Sequence, residues 1–363
     1  MQIENRHMDT SGLNIKIERT TNSKLSSIDW DNLPFGQVFS DHMLVMDYKD
    51  GEWKEPKIEA FENLSLHPAT SAIHYGQSIF EGLKAYRKDD GNIAIFRPDM
   101  NAKRFVESCE RMCMPVIPED VFVKLVSALI KEDSEWCPKK EGYSLYIRPF
   151  LFGTDDYIGI KPSDTYKFII FTCPVGAYYS EPLNVKIEEK YTRASEGGVG
   201  RAKTAGNYAA SLYPAKLGKE AGYHQLVWTD GKEHKYIEES GTMNIMFVID
   251  GKLITPSEDS DTILRGITKR TVVEVAQSWG MEVEERKITV DEIIAAIEAG
   301  RLTEAFGAGT AATIAQIKMI GFRDEKFELP AVENREFSNK VYTYLEKVKR
   351  GKVEDQNNWV FSV

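Results

Sequence analysis

Residues 197–211 read Gly197-Gly198-Val199-Gly200-Arg201-Ala202-Lys203-Thr204-Ala205-Gly206-Asn207-Tyr208-Ala209-Ala210-Ser211. The stretch places four glycines around one lysine and then continues into small residues and a tyrosine. Glycines allow positive φ angles and a close approach of the backbone to another group, so we expect Lys203 to be shielded from water. Burial lowers the pKa of a lysine from about 10.4, and a neutral amine attacks an aldehyde to form a Schiff base. A Gly-rich surface loop with a solvated lysine is the alternative.

Two nucleotide-binding patterns compete with this interpretation. Gly197–Thr204 nearly fits the phosphate-loop pattern G-x-x-x-x-G-K-[ST], but Ala202 stands where the second glycine lets the loop wrap a phosphate. In such a protein Ile245–Asp250 would be the acidic strand that holds Mg²⁺, although Asp250 is better explained as half of a hairpin turn. Gly307–Ala312 fits a loose dinucleotide fingerprint, which is a weak signal without a βαβ unit around it.

Composition limits the class of protein. The chain has 363 residues, of which 42% are hydrophobic and 28% charged, as is typical of a globular protein long enough for two domains. The net charge of −10 argues against nonspecific binding to nucleic acid. No run approaches the ~18 apolar residues of a membrane span, and the N-terminus lacks the apolar region of a secretion signal. We therefore expect a cytoplasmic protein that binds neither nucleic acid nor membrane.

The cysteines are too few and too unevenly spaced for a disulfide framework. They are Cys109, Cys113, Cys137 and Cys173. Cys109 and Cys113 lie four residues apart, as neighbours on one helical face would, and nothing completes a zinc site with them. The sequence therefore predicts free buried thiols and no metal site.

Four Asp-Gly pairs predict hairpin turns, because strand-like segments flank them. The pairs are Asp50-Gly51, Asp90-Gly91, Asp230-Gly231 and Asp250-Gly251. The predicted partner strands are Gly82–Tyr86 with Ile93–Phe96, Gln225–Thr229 with Glu233–Ile237, and Asn244–Ile249 with Lys252–Thr255. Each half of the chain is thus predicted to hold an antiparallel meander rather than a βαβ series, which indicates an α+β (mixed α/β) fold.

Apolar stripes at helical spacing and capping residues predict helices between these hairpins. The first helix is predicted from Pro98 to about Met112, and the second begins just after Pro118. A third runs from Thr204 to about Lys219. Two more are Thr268–Trp279, which Gly280 ends, and a helix from the Thr289 capping box to Gly300. The apolar runs Tyr143–Phe152 and Tyr166–Cys173 predict buried strands.

Prolines at both ends of Pro174–Pro182 indicate an interdomain connector. We predict a smaller N-terminal α+β domain over residues 1–173, a connector over 174–182, and a larger C-terminal domain over 183–363. Phe322–Val363 is predicted to form a peripheral helix and a tail.

A pyridoxal-phosphate enzyme needs a Schiff-base lysine, an acid near the pyridine nitrogen and an anchor for the phosphate. Lys203 supplies the first. Glu238-Glu239-Ser240-Gly241-Thr242, predicted between two strands of the second-half meander, offers the acid, because a carboxylate there would hold a protonated ring nitrogen. Glutamates that are simply solvated in a turn are the alternative.

Three features offer an anchor for a phosphate. Leu264–Thr268 leads into a predicted helix, and a helix N-terminus presents free N–H groups to an anion. Thr268 could add a hydroxyl, or it could cap its helix. Gly307–Thr310 offers further backbone donors, and Arg104 on the first-half helix offers a cation, unless it is an ordinary solvated charge.

Six separated motifs stand in the sequence in this order: His74–Tyr86, Phe96–Asn101, Tyr146–Pro149, Gly197–Tyr208, Glu239–Asn244 with Phe247, and Gly307–Ala311. Together they resemble the branched-chain aminotransferases of the fold-type IV pyridoxal-phosphate class, over about Phe35 to Lys318. Six motifs in one order are highly specific and favour the Schiff-base interpretation of Lys203. The resemblance implies the two-domain fold of D-amino-acid aminotransferase-like enzymes, with pyridoxal 5′-phosphate bound by the C-terminal domain.

The resemblance also implies roles for single residues. Lys203 would bind the cofactor aldehyde and shuttle a proton, Glu239 would pair with the pyridine nitrogen, and Tyr208 with the phenolic oxygen of the ring. The cofactor would be held further by Arg104, Ile267, Thr268 and Thr310 at the phosphate and by Leu264 against the ring. Substrate contacts are implied for the pocket walls Tyr75, Phe80, Tyr146 and Tyr178, for Thr242 and Ala311 at the α-carboxylate, and for Arg148 near the side-chain carboxylate of glutamate.

The implied reaction is a ping-pong transfer of the amino group of L-leucine, L-isoleucine or L-valine to 2-oxoglutarate. Its partners are small amino acids and 2-oxo acids, and we expect a homodimer or a larger homo-oligomer, because the family builds its active site from two subunits. Some members carry a Cys-x-x-Cys pair after the last phosphate loop, where Ala312 and Ala315 stand here. D-amino-acid transaminases and aminodeoxychorismate lyases of the same fold are alternatives, as is an ATP-binding protein.

Overall fold

The computed structural model describes residues 13–176, 178–179 and 181–363. The strands are β1 (Lys16–Ile17), β2 (His42–Lys49), β3 (Glu52–Trp53), β4 (Lys57–Ala60), β5 (Ser78–Phe80), β6 (Leu83–Arg87), β7 (Ile93–Phe96), β8 (Ser144–Gly153), β9 (Tyr166–Val175), β10 (Leu183–Ile187), β11 (Gln225–Thr229), β12 (Ile237–Ser240), β13 (Met243–Ile249), β14 (Lys252–Thr255), β15 (Val283–Glu285), β16 (Leu302–Gly309), β17 (Thr313–Phe322), β18 (Glu325–Glu328) and β19 (Val360–Ser362). The helices are α1 (Ser71–Tyr75), α2 (Pro98–Arg111), α3 (Glu119–Glu132), α4 (Ala205–Glu220), α5 (Ile267–Ser278), α6 (Val290–Glu298) and α7 (Glu336–Lys349).

The first of two compact units comprises the described residues up to Tyr178, together with Ala202–Ala205 and Lys347–Val363. Its sheet has the strand order β1-β4-β2-β9-β8-β6-β7-β19, with β3 paired to β2 and β5 to β8. The long apolar strands β8 and β9 pair antiparallel along their whole length at its centre. Buried side chains of α2 and α3, such as Phe105 and Phe122, pack in one core with Phe168 of β9. The apolar residues that recur at helical spacing along α2 and α3 therefore pack these helices onto the sheet.

The second unit comprises Tyr179–Arg201 and Gly206–Glu346. Its strands follow the order β12-β11-β10-β17-β16-β13-β14-β15, with β18 paired to β17 and β12 paired also to β13. The predicted antiparallel meander is confirmed in β11, β12, β13 and β14. The sheet also holds parallel pairs that were not predicted, since β10 runs parallel to both β11 and β17, and β14 runs parallel to β15. Parallel neighbours need a long connection, and the chain from β10 to β11 provides one that includes α4.

Three of the four Asp-Gly hairpins are confirmed, around Asp50-Gly51, Asp90-Gly91 and Asp250-Gly251. The fourth is wrong in its second strand, which spans Ile237–Ser240 rather than Glu233–Ile237. The cause is the Asp230 side chain, which accepts hydrogen bonds from the backbone N–H groups of Glu233, Lys235 and Tyr236 at 2.7–2.8 Å. These bonds hold the intervening residues in a loop, so the strand begins only at Ile237.

The predicted helices are confirmed to within a few residues as α2, α3, α4, α5 and α6. Thr289 caps α6 as its motif predicts, since its hydroxyl oxygen accepts the Glu292 N–H at 3.0 Å. Gly280 follows α5 with a φ of 78°, a value that favours glycine after a helix.

The structure differs from the expected connector and tail. Pro174 and Val175 belong to β9 and not to a connector, because both pair with β8. The chain after Phe322 is more than a peripheral helix and tail, since β18 extends the second sheet and β19 joins the first by pairing with β7. The domain division 1–173, 174–182 and 183–363 stays a prediction, and the compact units differ from it at 202–205 and 347–363.

The cysteines are free, and Cys109, Cys137 and Cys173 are buried as predicted. Burial raises the pKa of the Cys137 thiol to about 12. Cys113 is the exception, because α2 ends at Arg111 and leaves Cys113 exposed beyond the helix. None of the described helices has the length and apolar character that crossing a membrane requires.

Candidate active site

Lys203 is attached through its backbone to the sheet and helix of the first unit. The Phe80 N–H donates to the Lys203 carbonyl oxygen at 3.0 Å, and the Lys203 N–H donates to Ser108 Oγ at 3.1 Å. The neighbouring Thr204 hydroxyl donates to the Ser78 carbonyl oxygen at 2.7 Å. The side chain is half-buried, with Nζ 4.9 Å from the centre of the Phe80 ring. The lysine is therefore held between β5 and α2 and is not a solvated residue of a surface loop.

Arg104 faces a fully buried carboxylate, that of Glu81. Its Nε and one terminal nitrogen lie 2.7 and 2.9 Å from the two oxygens of Glu81, and Asn101 Nδ2 donates to the same carboxylate at 2.7 Å. Burial alone would raise the pKa of Glu81, but the charge and hydrogen bonds of Arg104, the charge of Lys203 and the amide of Asn101 lower it. Arg104 is thus a buried, oriented cation rather than a solvated helix charge.

Four of the predicted substrate residues lie in the first unit as an aromatic cluster with one cation. The Arg148 guanidinium lies 4.8 Å from the centre of the Phe80 ring and donates to the Tyr146 hydroxyl at 3.1 Å. Phe35 lies edge-on to Tyr146 at 5.0 Å and to Tyr178 at 4.8 Å between ring centres. The cluster combines apolar ring faces with a positive charge, which suits a pocket for both apolar and carboxylate side chains.

Tyr75, the fifth residue of that group, lies at the end of α1. The helix ends at Gly76 with a φ of 66°, and the Tyr75 ring is 43% exposed.

Glu239 is buried in the second unit within an ion pair and hydrogen bonds. Its Oε2 lies 2.8 Å from Nε of Arg193, while its Oε1 accepts the Leu264 N–H at 2.9 Å and Asn244 Nδ2 at 3.3 Å. Glu238 and Glu239 lie inside β12 and not in a turn between strands, and both are buried. The alternative of solvated turn glutamates is therefore wrong, because β12 begins at Ile237 and includes both of them.

Arg193 connects Glu239 to two backbone segments. A terminal nitrogen of Arg193 donates to the carbonyl oxygen of Thr262 and, at 3.3 Å, to that of Gly200. Gly200 has no room for a side chain, since an added Cβ would lie 2.6–2.8 Å from atoms of Ala194, Asp261 and Thr262. One guanidinium thus fixes the carboxylate together with the segments before Lys203 and before Leu264.

The first turn of α5 is suited to an anion. Gly266 precedes the helix without a side-chain cap, so the N–H groups at Ile267 and Thr268 are not satisfied by a capping side chain. A Cβ on Gly266 would lie 1.7 Å from Oδ1 of Asn244, which shows how closely the backbone is packed here. Thr268 lies inside the helix, so the alternative role of an N-cap is wrong for it.

The remaining predicted residues lie at the ends of hairpins or on α4 of the second unit. Strands β13 and β16 pair with Asn244 opposite Ala308, which brings the turn that contains Thr242 and the loop with Thr310 and Ala311 to the same end of the sheet. Thr310 and Ala311 are half-buried and Thr242 is exposed. Tyr208, half-buried, is in the first turns of α4.

Three residues for which the sequence predicts no role complete these arrangements: Glu81, Arg193 and Asn244. Glu81 interrupts an apolar run in Ile79-Phe80-Glu81-Gly82-Leu83, and a charge in such a run indicates a buried, paired group. Arg193 gives no comparable signal, because its polar surroundings in the sequence are those of an ordinary loop. Among the described residues, no group of three or more His, Cys, Asp or Glu side chains could hold a metal ion.

The chain matches the family model described as amino-transferase class IV over residues 78–320. It is 44% identical to the branched-chain-amino-acid transaminase 1 of Bacillus subtilis (strain 168) over 340 residues, 92% of this chain and 95% of the relative. The chain belongs to the branched-chain-amino-acid aminotransferases of class IV. The predicted family and the pyridoxal-phosphate-dependent transaminase activity are thereby confirmed.

Solved structures of this family share the fold. The branched-chain aminotransferase of Thermoproteus uzoniensis with norvaline superimposes with a TM-score of 0.73 at 24% identity, covering 88% of this chain and 99% of that one. The enzyme of Thermobaculum terrenum in its PLP-form gives a TM-score of 0.71 at 22% identity, covering 90% and 99%. These similarities confirm the fold-type IV, mixed α/β class. Family membership decides against the nucleotide-binding alternative for Gly197–Thr204.

Proposed function

We propose that the enzyme transfers the amino group of L-leucine, L-isoleucine or L-valine to 2-oxoglutarate, with pyridoxal 5′-phosphate bound at Lys203. The reaction gives branched 2-oxo acids and L-glutamate in two half-reactions on one site. The observation that carries this proposal is the half-buried Lys203 amine, held by backbone hydrogen bonds beside Phe80. The relatives named above, one with norvaline and one in its PLP-form, support the substrate class and the cofactor.

The residues present fit this cofactor. Lys203 would bind the aldehyde and Arg104 the phosphate, and the uncapped first turn of α5 at Ile267 and Thr268 also fits a phosphate. The buried carboxylate of Glu239 fits a protonated pyridine nitrogen. The remaining cofactor contacts are assigned to three residues: Tyr208 at the phenolic oxygen, Leu264 at the ring and Thr310 at the phosphate. When bound, the cofactor supplies an electron sink for the pair released at the substrate Cα.

Two side chains of the protein handle protons in this proposal. Nζ of Lys203 would take the proton from Cα of the amino acid and hold it for return later in the same half-reaction. Glu239 holds the proton on the pyridine nitrogen. Nε of Arg193, 2.8 Å from Oε2 of Glu239, balances the charge of that carboxylate.

The aromatic cluster of the first unit selects the side chain of the substrate. Phe80, Tyr146 and Tyr178 present ring faces to an apolar side chain, and we assign Tyr75 to the same wall. Arg148 binds the side-chain carboxylate when glutamate or 2-oxoglutarate occupies the site. Thr242 and Ala311 bind the α-carboxylate. One methylene in such a pocket changes binding by only ~1–3 kcal/mol, so all three branched substrates are accepted.

The enzyme is proposed to act as a cytoplasmic homodimer or larger homo-oligomer. Large apolar side chains are exposed in two segments of the first unit that the bridge between Thr70 and Asp156 joins: Ile73, Tyr75, Ile158 and Ile160, the last of them 94% exposed. Apolar groups exposed together in this way are typical of a protein interface.

An absorbance spectrum before and after addition of L-leucine tests this function. We expect a yellow holoenzyme whose visible band changes with L-leucine and not with D-alanine, and borohydride should fix the cofactor on Lys203. A reduced peptide with the cofactor on another lysine would refute the assignment. A response to D-alanine instead would favour a D-amino-acid transaminase, and thermal stabilisation by ATP without colour would favour nucleotide binding.

A further inference from the structure

Glu81 lies within the described site, and the sequence motifs assign it no role. Its backbone N–H donates to the Pro149 carbonyl oxygen at 2.7 Å, and the preceding Phe80 N–H donates to Lys203. Its side chain is fully buried. The peptide of Glu81 is thus fixed between β8 and the segment that carries the lysine.

The carboxylate of Glu81 has four donors within hydrogen-bond distance. Nε and one terminal nitrogen of Arg104 approach its two oxygens at 2.7 and 2.9 Å, Asn101 Nδ2 donates at 2.7 Å, and the Gly82 N–H donates at 3.1 Å. Asn101 and Arg104 are three residues apart on α2, so they present both side chains to the carboxylate from one helix face. This bidentate contact between the Arg104 guanidinium and the Glu81 carboxylate fixes the plane of the guanidinium.

The same carboxylate is electrostatically coupled to Lys203, whose charge helps to lower the pKa of Glu81. The charged groups that act on it are Arg104 of α2, in direct contact, and Lys203 of the 202–205 segment. Glu81 is therefore a negative charge acting on two cations. A buried ion pair contributes little stability relative to apolar side chains of similar volume, so stability alone does not account for it.

We propose that Glu81 is a positioning residue that couples the Arg104 guanidinium to the Lys203 amine, fixing the first by geometry and acting on the second by charge. The inference rests on the proposed roles of Lys203 and Arg104. It predicts two separable effects, since Glu81→Gln removes the charge while keeping the length of the side chain, and Glu81→Asp keeps the charge but withdraws it by one methylene.

The test is a pH titration of the visible absorbance of the holoenzyme, together with the dissociation constant of pyridoxal 5′-phosphate from the apoenzyme. Glu81→Gln should move the absorbance transition to lower pH by about one unit, because the protonated nitrogen at Lys203 loses a nearby negative charge. Glu81→Asp should leave the pH of the absorbance transition unchanged. It should raise the dissociation constant of pyridoxal 5′-phosphate about tenfold or more, because the bidentate contact with Arg104 is broken.

Glu304→Gln is the matched control. Glu304 is a buried carboxylate of the second unit that accepts hydrogen bonds from the Phe337 N–H and from the N–H and hydroxyl of Ser338. This variant should lose thermal stability and keep both the wild-type transition and the wild-type affinity for the cofactor. A purely structural role of Glu81 would give the same result as this control.

An unmoved transition in Glu81→Gln, or wild-type cofactor affinity in Glu81→Asp, would overturn the proposal. Failure of both variants to fold while Glu304→Gln folds would assign Glu81 to folding and overturn it as well. A wild-type protein that carries no borohydride-fixed cofactor on Lys203 would instead refute the proposed function, whatever the variants do.

Discussion

Arg193 and Glu239 form a buried ion pair, with Nε of the arginine 2.8 Å from Oε2 of the glutamate. The arginine also reaches the carbonyl oxygens of Gly200 and Thr262. One side chain therefore sets the charge of the acid, the path of the glycine stretch and the position of the segment that leads to Leu264. Removing it should therefore lower both stability and activity, because Glu239 would be left buried without its cation.

Arg193→Gln should lower kcat for L-leucine about 10- to 100-fold. Without the guanidinium, the buried Glu239 avoids an uncompensated charge by taking up a proton, and it then holds the pyridine nitrogen less well. Arg193→Lys should restore only part of the activity, since a lysine supplies the charge but not the planar fork. Steady-state kinetics of all three proteins measure this. Wild-type kcat in Arg193→Gln would contradict the assignment.

Lys203→Ala should lose transamination by about 10²–10⁴-fold, the usual contribution of a positioned acid–base group, while still binding some cofactor. Lys216→Ala is the matched control, because Lys216 is an exposed lysine of α4 whose partner is Glu220. Single-turnover measurements with L-leucine compare the two variants. Equal activity in both would remove Lys203 from the mechanism.

Glu238 should make the enzyme less stable as the pH rises. Burial, only partly offset by the Thr262 hydroxyl and Arg193, raises its pKa from 4.5 to about 6, and its Oε2 has no hydrogen-bond partner in the part of the chain that the structure describes. A raised folded-state pKa means that the folded protein binds the extra proton between about pH 4.5 and 6, so stability falls across that window. Above about pH 6, the ionised Glu238 carboxylate lowers the free energy of unfolding by about 2 kcal/mol.

Glu238→Gln should therefore be more stable than the wild type at pH 7.5, with a midpoint of thermal unfolding a few degrees higher, and the difference should vanish below pH 4.5. Glu233→Gln, in the exposed loop just before β12, should leave the pH profile unchanged. Thermal unfolding at several pH values provides the comparison. A Glu238→Gln protein that gains no stability at pH 7.5 would show that the burial of Glu238 is compensated.

Gly82→Ala should impair substrate binding. A Cβ at this position would lie 2.2 Å from the hydroxyl oxygen and 3.0 Å from Cζ of Tyr146, so the ring must move and lose its contact with Arg148 at 3.1 Å. We expect KM for L-leucine and 2-oxoglutarate to rise about tenfold or more, with cofactor affinity retained. Gly218→Ala on α4 meets only the end of the flexible Leu226 side chain and should behave as the wild type. Equal KM values in the two variants would place Tyr146 outside the pocket.

Local signals in the sequence predict most elements correctly, and the errors arise where side-chain hydrogen bonds or pairing between separated strands compete with them. Helix spacing and the Thr289 cap locate α2 to α6 because both depend on neighbouring residues. The strand that follows Asp230 begins later than predicted, because the Asp230 side chain accepts hydrogen bonds from three backbone N–H groups. The Asp-Gly turn pattern does not predict these bonds. The later start of this strand is also why Glu238 and Glu239 are buried.

The motifs point to Lys203 and Glu239, but not to the side chains that hold them. Glu81 and Arg193 act through residues 23 and 46 positions away, Arg104 and Glu239, and such pairings arise only when the chain folds. The parallel pairing of β10 with β11 and β17 was missed for the same reason. A resemblance between motifs predicts which residues have a role, whereas the side chains that contact those residues are decided by the packing of the folded chain.

The four residues Ala202–Ala205 belong to the first unit although the chain on both sides of them belongs to the second. A fragment that ends at Tyr178 would contain the arginine and the carboxylate but no reactive amine, and the complementary fragment would have the amine without its supporting strand. Cutting the chain at that boundary would therefore leave neither fragment with the complete surroundings of Lys203.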